Sequence, residues 1–359
     1  METQINKLDF TGQNIYAGFD VHLKSWRVTI MTDYLTHKTF TQPPSPDVLH
    51  QYMKKNFPGG TYHSAYEAGF CGYWIHNKLK SLGINSMVVN PADIPTTDKE
   101  RDRKDDTRDS RKIARSLRNN ELTPIYVPSL KTLEDRTLVR TRSMLVGDVT
   151  RYKSRIKSFL YFHGIDIPEC FANKKSCWSK CFIDWLENIE MEEKSGKEAL
   201  NQHIVTLKNL RVSLLQTTRT IRELSKTEFY KEKMDLLISV PGVGFITAIT
   251  ILTELEDINR FGNIDSLCGF IGLVPSKHST GEKDRTGDIT KRGHNILRHA
   301  LIESAWVAAR LDPALMKSYI SYCNRMEPNK AIIRIAKKLL SRISYVLKNK
   351  QQYECAIVK

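Results

Sequence analysis

The chain has few cysteines and no long uninterrupted apolar segment, and we expect no secretory leader from the pattern of its first residues. Its seven cysteines in 359 residues are an odd number scattered along the sequence. That usage excludes a disulfide-rich secreted scaffold and suits a reducing cytosol. The first residues, Met1 to Phe10, mix charges and lack an apolar centre, so they do not resemble a signal peptide. We therefore expect a cytoplasmic protein.

Long hydrophobic runs are also scarce. The longest uncharged stretch extends from Leu236 to Thr253, close to the length of a membrane span. Ser239, Pro241 and two glycines interrupt it, and no second stretch accompanies it. The pattern favours a buried helix–turn–helix element, so we expect no membrane partner.

Acidic residues are too few to balance the basic ones. There are 55 Lys and Arg against 40 Asp and Glu, a formal net charge of +15. Such an excess favours polyanionic partners, chiefly nucleic acid and less often anionic membranes. With 40% hydrophobic and 26% charged residues, the composition is that of a globular protein and excludes disorder and collagen. The length predicts roughly two or three domains.

Residues 10–125 are predicted to form an α/β domain, because strands come first and helices and strands then alternate. The predicted elements are two β-rich runs over 14–32, a helix over 46–55 capped by Ser45, a strand over 61–67, a helix over 72–82, a strand over 84–89 and an amphipathic helix after the charged segment 98–110.

Residues 129–231 have the pattern of long helices, and residues 234–350 that of a mostly helical third domain. The central region predicts a helical hairpin or coiled-coil arm with a basic face, which is either solvated or in contact with nucleic acid. Three cysteines near Trp178 have poor spacing for zinc. The apolar seams of the arm are Leu138, Leu145, Tyr152, Ile156 and Phe159 in one helix and Ile204, Leu207, Leu210, Leu214, Ile221 and Leu224 in another.

Four carboxylates have the pattern of a metal site. Asp20 lies in the first β-rich region and Glu67 ends a predicted strand, while Asp106 and Asp109 share one face of a helix. Oxygen ligands of this kind suit Mg²⁺, which supports phosphoryl transfer. The arrangement matches an RNase H-like fold. Asp98, Asp102 and Asp105 blur the register, and the pair 106/109 is preferred because Ser-Arg-Lys-Ile-Ala follows it and sets the helix phase.

Two glycine-containing segments follow in the last third of the chain. Val240–Gly244 joins two apolar runs, and Gly242 and Gly244 there either offer backbone N–H groups to a DNA phosphate or form a buried turn. Hydroxyl and basic residues alternate with glycines over 272–293, which suits a loop that grips phosphate. In that loop Ser279 is either a nucleophile activated by a neighbouring base or metal, or part of an ordinary turn.

Together these motifs resemble the DEDD-type insertion-sequence transposases and the Piv/MooV-type site-specific DNA invertases, whose best understood members are bridge-RNA-guided recombinases. The resemblance covers nearly the whole chain, and the order and spacing of the motifs agree. The residues that carry it are Gly18–His22, Tyr66–Ala68, Asn90–Pro91, Lys104–Ser110, Pro241–Gly244, Gly272–Pro275, Ser279–Gly281 and Ile289–Gly293.

The resemblance implies an N-terminal RuvC-like domain in which Asp20, Glu67, Asp106 and Asp109 bind Mg²⁺, and a C-terminal transposase domain with Ser279 as nucleophile. It further implies a covalent phosphoserine intermediate, a homo-oligomer from dimer to tetramer built through the helical arm, and a bridge RNA that pairs with donor and target DNA. The candidate phosphate contacts are Lys277, His278, Thr280, Lys283, Lys291 and Arg292.

The chain departs from the family pattern at two places. It has Lys104-Asp105-Asp106 where Lys-Thr-Asp is common, and Thr280 where a second serine is common. The sequence therefore predicts a Mg²⁺-dependent transposase with these acids and this serine. Two alternatives stay open: a RuvC-like structure-selective nuclease or invertase without RNA guidance, and a basic nucleic-acid organiser without catalytic activity.

Overall fold

The computed structural model describes residues 9–95, 105–172, 177–280, 283–290 and 292–355, and the side chains of 276–280, 283–286 and 288 lie outside that description. The chain divides into two compact units, Met1–Val127 and Pro128–Lys359. The first unit is mixed α/β, and the second is helical apart from a two-stranded sheet. Within the described ranges, no helix has both the length and the apolar character that a bilayer span requires.

A five-stranded sheet with the order β3-β2-β1-β4-β5 forms the centre of the first unit. β1 pairs antiparallel with β2 and parallel with β4, and β4 pairs parallel with β5. This mixed sheet is consistent with the predicted RNase H-like domain. The third strand had not been predicted, since its polar, exposed residues give a weak strand signal. The strands are β1 Asn14–Val21, β2 Trp26–Thr32, β3 Thr36–Gln42, β4 Thr61–Glu67 and β5 Asn85–Val89.

Helices cover both faces of this sheet. α1, Pro46–Asn56, begins after Ser45, whose hydroxyl accepts a hydrogen bond from the Val48 amide, as the sequence predicts. α2 is Trp74–Ser81. Leu49 and Met53 of α1 and Ile75 and Leu79 of α2 are buried against β1 and β2 residues in one hydrophobic cluster. α3, Asp106–Arg118, packs on the opposite face through its buried apolar residues Ile113, Ala114 and Leu117.

Contact between α3 and β1 is close because β1 has a glycine at the crossing point. A Cβ atom on Gly18 would lie 2.1 Å from the Ala114 amide nitrogen and 2.7 Å from the Ser110 carbonyl oxygen. Two polar contacts anchor the same helix to β2. The hydroxyls of Thr29 and Ser110 lie 2.9 Å apart, and Arg27 Nε donates to the Thr107 hydroxyl at 3.1 Å. Helix α3 is thus held at a fixed register on the sheet.

Two long helices, α4 Leu130–Phe162 and α6 Lys194–Ser225, form most of the first part of the second unit, and the shorter α5 Lys180–Asn188 lies between them in the sequence. The two long helices pack along each other through a cluster that includes Ile156, Ile204 and Leu207, as predicted. The predicted seam shifts at two positions: Leu138 and Leu145 are partly exposed, whereas Val139 and Val149 are buried. An α-helix has 3.6 residues per turn, so a stripe with a spacing of seven drifts around the helix.

The remaining helices surround a second large hydrophobic core. Buried acids at its periphery join neighbouring helices. The Asp312 carboxylate caps α11, accepting from the Leu315 amide at 2.8 Å, and it binds Arg342 and the Tyr353 hydroxyl, each at 2.6 Å. The mostly helical content of this region agrees with the prediction for residues 234–350. The helices are α7 Glu228–Ile238, α8 Phe245–Leu255, α9 Ile264–Ile271, α10 Asn295–Leu311, α11 Pro313–Cys323 and α12 Pro328–Asn349.

Glu254 of α8 is the most heavily bonded of these acids. Its side chain is fully buried, and Arg140 of α4 binds it through two nitrogens at 2.7 Å each. Arg136 Nε lies 3.3 Å from Glu254 and His294 Nε2 lies 3.0 Å from it. Burial by itself would raise the pKa of Glu254, but hydrogen bonds from His294 and Arg140 lower it to about 2. The network joins α4, α8 and the residue that caps α10.

Replacing Gly18 with alanine should displace α3 from the sheet, since the new Cβ would overlap the α3 backbone. We expect Gly18→Ala to lower the free energy of unfolding by about 1–3 kcal/mol, the usual cost of overpacking. Gly147 of α4 provides the control, because a Cβ there meets no atom within 4 Å. Gly147→Ala should raise stability by about 0.5–1 kcal/mol. Equal effects in urea unfolding would contradict this account of the α3 contact.

Removing the charge of Glu254 should lower the free energy of unfolding of the second unit. Glu254→Gln takes away the buried charge that two arginines bind, and breaking a buried pair in this way typically costs about 3–5 kcal/mol. Glu223→Gln is the control, because the Glu223–Lys226 pair is exposed and worth less than about 1 kcal/mol. Chemical denaturation of the three proteins at pH 7 measures both effects.

The shifted pKa of Glu254 predicts that the stability of the folded chain depends on pH. Its pKa is lower in the folded chain than its ordinary value of 4.5, so its stabilising contribution is complete above that value. The contribution is lost as the pH falls from there towards about 2. The stability difference between wild type and Glu254→Gln should therefore shrink over this range, and a constant difference from pH 7 to pH 3 would contradict the prediction.

Candidate active site

Asp20 and Glu67 lie side by side at one edge of the sheet. β1 and β4 are parallel and pair Phe19 with Tyr66, so the two acids occupy the next position on each strand. Gly18 and Ala65, two residues earlier, both face α3. Since side chains alternate along a strand, Asp20 and Glu67 share that face.

The start of α3 supplies the other two predicted acids. Asp106 is the first residue of the helix, and Asp109 lies one turn further on, where Lys112 Nζ is 3.3 Å from its carboxylate. Asp105 has a separate role: its carboxylate accepts a hydrogen bond of 3.1 Å from the Thr107 amide and caps the helix. Asp98 and Asp102 lie outside the described residues.

Asp20, Asp106 and one unpredicted residue, His22, form a compact cluster. His22 Nε2 lies 3.1 Å from an Asp20 oxygen and 3.3 Å from an Asp106 oxygen. One potential ligand atom from each residue falls within 4.8 Å of the others, the one such grouping of acids, histidines and cysteines among the described residues. Glu67 and Asp109 are outside this group. The sequence signal for His22 was its place in the Gly18–His22 motif.

The electrostatics of the cluster fit a divalent cation. Burial raises the pKa of Asp20, the charges of Asp106 and Asp109 raise it further, and His22 opposes them. A half-buried carboxylate crowded by like charges is stabilised by a nearby positive charge. Its oxygen atoms are also the donors that hard cations prefer.

The segment predicted as a phosphate-gripping loop instead forms an antiparallel hairpin, β6 Pro275–Thr280 and β7 Lys283–Ile289, in which Ser279 is opposite Asp284. The prediction of a loop was wrong because the ends of the segment are brought together by tight packing. A Cβ on Gly293 would lie 2.6 Å from the Gly272 Cα. The side chains of Lys277, His278, Ser279, Thr280 and Lys283 lie outside the described residues, as does the whole of Lys291.

The base of this hairpin is also fixed by hydrogen bonds. The Thr290 amide donates to the Val274 carbonyl at 3.1 Å, and Arg298 donates to the Thr290 carbonyl at 2.8 Å. The Arg292 amide donates to the Thr290 hydroxyl at 3.1 Å. His294, which is hydrogen-bonded to Glu254, lies two residues after Arg292. Its Nδ1 accepts a hydrogen bond from the Leu297 amide and so caps α10. The Glu254 network therefore fixes the position of the chain where it leaves the hairpin and enters α10.

The two glycines of the turn between α7 and α8 differ in their surroundings: one packs against a helix and the other faces open space. A Cβ on Gly242 would lie 2.3 Å from the Ser304 carbonyl oxygen, and its φ of +85° favours glycine. Close contact with α10 thus accounts for Gly242. Gly244 is exposed with no atom within 4 Å of such a Cβ, and it precedes α8 without a side-chain cap.

A basic cavity beside the hairpin, which we call the α12 cavity, was missed by sequence reasoning. It has a volume of about 890 Å³, and the hairpin base and α12 line it. Its cationic residues, Lys330, Arg334 and Lys337, follow one another at helical spacing, a signal that the sequence contained. Lys337 is paired with Asp265 at 2.9 Å. Val274, Ile289 and Ile333 give the cavity apolar walls.

Known proteins resemble the chain over most of its length. One relative, named as a transposase, is y4qE of Sinorhizobium fredii, with 32% identity over 67% of this chain but 57% of the relative's own length. The transposase of insertion sequence IS1533 from Leptospira borgpetersenii is 28% identical over 82% of this chain and 85% of the relative. That of IS1111A from Coxiella burnetii is 25% identical over 80% and 78%.

Family comparisons agree with these matches in both units. Residues 17–164, which contain all four predicted acids, match the DEDD transposase family of IS110 elements. Residues 234–321, which contain the glycine turn and the serine hairpin, match the transposase family IS116/IS110/IS902. The two matches occur in the order that the sequence motifs predict, and over these residues the chain is similar to the IS110/IS116/IS902 and DEDD insertion-sequence transposases.

Proposed function

We propose that this chain cuts and rejoins DNA to move an insertion sequence, with Asp20, Glu67, Asp106 and Asp109 at one centre and Ser279 as nucleophile. One observation carries the proposal. Asp20 and Asp106 come from different elements, yet both lie within 3.3 Å of the same His22 nitrogen, in residues that match the DEDD transposases of IS110 elements. The close contact between α3 and β1 at Gly18 brings these two acids together. A common role in binding a metal ion explains that arrangement.

The acids form the metal part of the proposal. Asp20 and Asp106 would hold Mg²⁺, with Glu67 on the neighbouring strand and Asp109 one helical turn away. A divalent cation held there would supply positive charge to neutralise the phosphate and to activate the attacking oxygen. The chain itself supplies the placement: Arg27 and Ser110 hold α3 on the sheet, and Asp105 fixes its first turn.

Ser279 forms the nucleophilic part. Its Oγ would bond to the scissile phosphorus while the bond from phosphorus to the departing deoxyribose oxygen breaks. The serine loses its proton and the departing oxygen gains one, so the products are a phosphoserine and a strand with a free hydroxyl. A hydroxyl from another strand then reverses the step and restores the serine. No phosphodiester energy is lost, and strands are exchanged without an external energy source.

Contacts to the DNA backbone would come from basic residues on and beside the hairpin. Gly244, an exposed glycine before an uncapped helix, can present backbone N–H groups to phosphate. The α12 cavity adds cations to this surface. Such contacts position the DNA and do not read its sequence. The other proposed contacts are Gly242, Lys277, His278, Thr280, Lys283, Lys291 and Arg292.

We further propose a bridge RNA and an oligomer, dimer to tetramer, as partners, and the nucleoid-containing cytoplasm as the location. The helical arm supports self-association: Tyr161 and Phe162 near the end of α4 are 89% and 83% exposed. Apolar side chains so exposed are stabilised when a second copy covers them. In this proposal residues 10–125 hold metal, 129–231 associate and 234–350 supply the serine.

A denaturing gel tests the proposal through the covalent intermediate. Purified protein, Mg²⁺, DNA with the element junction and RNA transcribed from its flanks should give a protein–DNA adduct. Ser279→Ala should abolish the adduct because it removes the nucleophile, and Asp20→Asn should abolish it because it removes a metal ligand. Thr280→Val removes the neighbouring hydroxyl, a proposed DNA contact, so it should lower the amount of adduct without abolishing it if Ser279 is the reacting hydroxyl.

Other outcomes have defined meanings. Cleaved DNA without adduct, unchanged in Ser279→Ala, would replace the proposal with a hydrolytic RuvC-like nuclease. An adduct formed equally well without RNA would remove RNA guidance and leave serine recombination in place. Binding without breakage in any condition would point to a non-catalytic nucleic-acid organiser.

DNA affinity should also depend on the α12 cavity. If Lys330 and Arg334 each contact a phosphate, Lys330→Ala/Arg334→Ala should lower the slope of log affinity against log salt by roughly 1–2. The matched control is Lys54→Ala/Lys55→Ala, which removes two exposed charges from α1. Fluorescence anisotropy over a salt series measures the slopes. Equal changes in both double variants would argue against a DNA contact at the cavity.

A further inference from the structure

His22 occupies a place in the acidic cluster that the four predicted acids do not account for. It follows the end of β1, and its amide donates to the Ser25 carbonyl at 3.2 Å in the turn to β2. That turn places the imidazole beside both carboxylates, with Nε2 at 3.1 Å from Asp20 and 3.3 Å from Asp106. The ring is about half exposed, so the core does not require it there.

We propose that His22 is a metal ligand of this chain, and that its nitrogen shifts the site towards Mn²⁺ relative to Mg²⁺. The inference rests on the proposed function, because it takes the acidic cluster to be the metal site. It goes beyond that function by adding a fifth residue and a different ligand chemistry.

The geometry favours ligation over a merely neighbouring position. Asp20, His22 and Asp106 each offer one atom within 4.8 Å of the others, which one ion can reach from a central position. Nε2 is the ring atom that faces both acids, and it offers a lone pair when the ring proton is on Nδ1. The contacts of Nε2 with both carboxylates hold the ring with this nitrogen facing the position that an ion bound by the two acids would occupy.

The ligand type sets the expected preference. Mg²⁺ favours all-oxygen surroundings and dehydrates reluctantly. Imidazole nitrogen suits first-row transition ions better than it suits Mg²⁺. A site with two carboxylates and one imidazole should therefore bind Mn²⁺ more tightly than Mg²⁺, and replacing the imidazole with an amide should reduce that preference.

The test is pulsed electron paramagnetic resonance of Mn²⁺ bound to the full chain without DNA. Nitrogen bound to Mn²⁺ modulates the electron spin echo, and ¹⁵N-histidine labelling changes the modulation frequency. We expect this nitrogen signal in wild type, its loss in His22→Gln, and its retention in the control His37→Gln. His37 lies on β3 and contacts Tyr52, away from the acids. The labelled wild-type protein shows whether a histidine nitrogen binds the ion even if His22→Gln does not fold.

Calorimetric titration supplies the second readout. The ratio of the Mg²⁺ to the Mn²⁺ dissociation constant should fall by about tenfold in His22→Gln, the scale on which loss of a metal-site group acts. Mn²⁺ binding without nitrogen modulation would overturn the assignment of His22 and leave the acidic site intact. No Mn²⁺ binding in wild type would overturn both the assignment and the metal site of the proposed function.

Discussion

The candidate metal site depends on the seating of one helix on one strand. Helix α3 approaches β1 so closely that its backbone fills the space where a side chain at Gly18 would be. This contact brings Asp106, at the first turn of α3, to the same imidazole as Asp20 at the end of β1. The remaining polar contacts of α3, from Thr29 and Arg27, maintain its position along the sheet.

A comparable constraint acts on the serine hairpin in the second unit. Gly272 and Gly293 allow the ends of the hairpin to meet, and Arg298 binds the backbone beside them. Behind the hairpin, Glu254 joins His294 to two arginines of the long helix α4. In both units the proposed chemistry lies at the end of a pair of strands, where close backbone contacts of a glycine fix its location.

Much of this arrangement was available from the sequence. The strand over 61–67 and the helix after Ser45 were predicted at their observed positions, because alternation and capping are local signals. The acids at strand and helix ends followed from the same signals. What escaped prediction depends on contacts between distant segments. β3 is recognisable only from its pairing with β2, and the hairpin from the meeting of Gly272 with Gly293. His22 becomes part of the site only when α3 is in place.

DNA breakage at the cluster formed by β1 and the start of α3 is the step on which the proposed function depends. It is tested most directly by the strand-breakage rate of Asp106→Asn beside Asp105→Asn, with melting temperatures for both. Asparagine caps helices as well as aspartate, so Asp105→Asn should keep both rate and stability. Asp106 is mostly exposed, so Asp106→Asn should keep the melting temperature and lose about 100-fold in rate. An unchanged rate in Asp106→Asn would contradict the account.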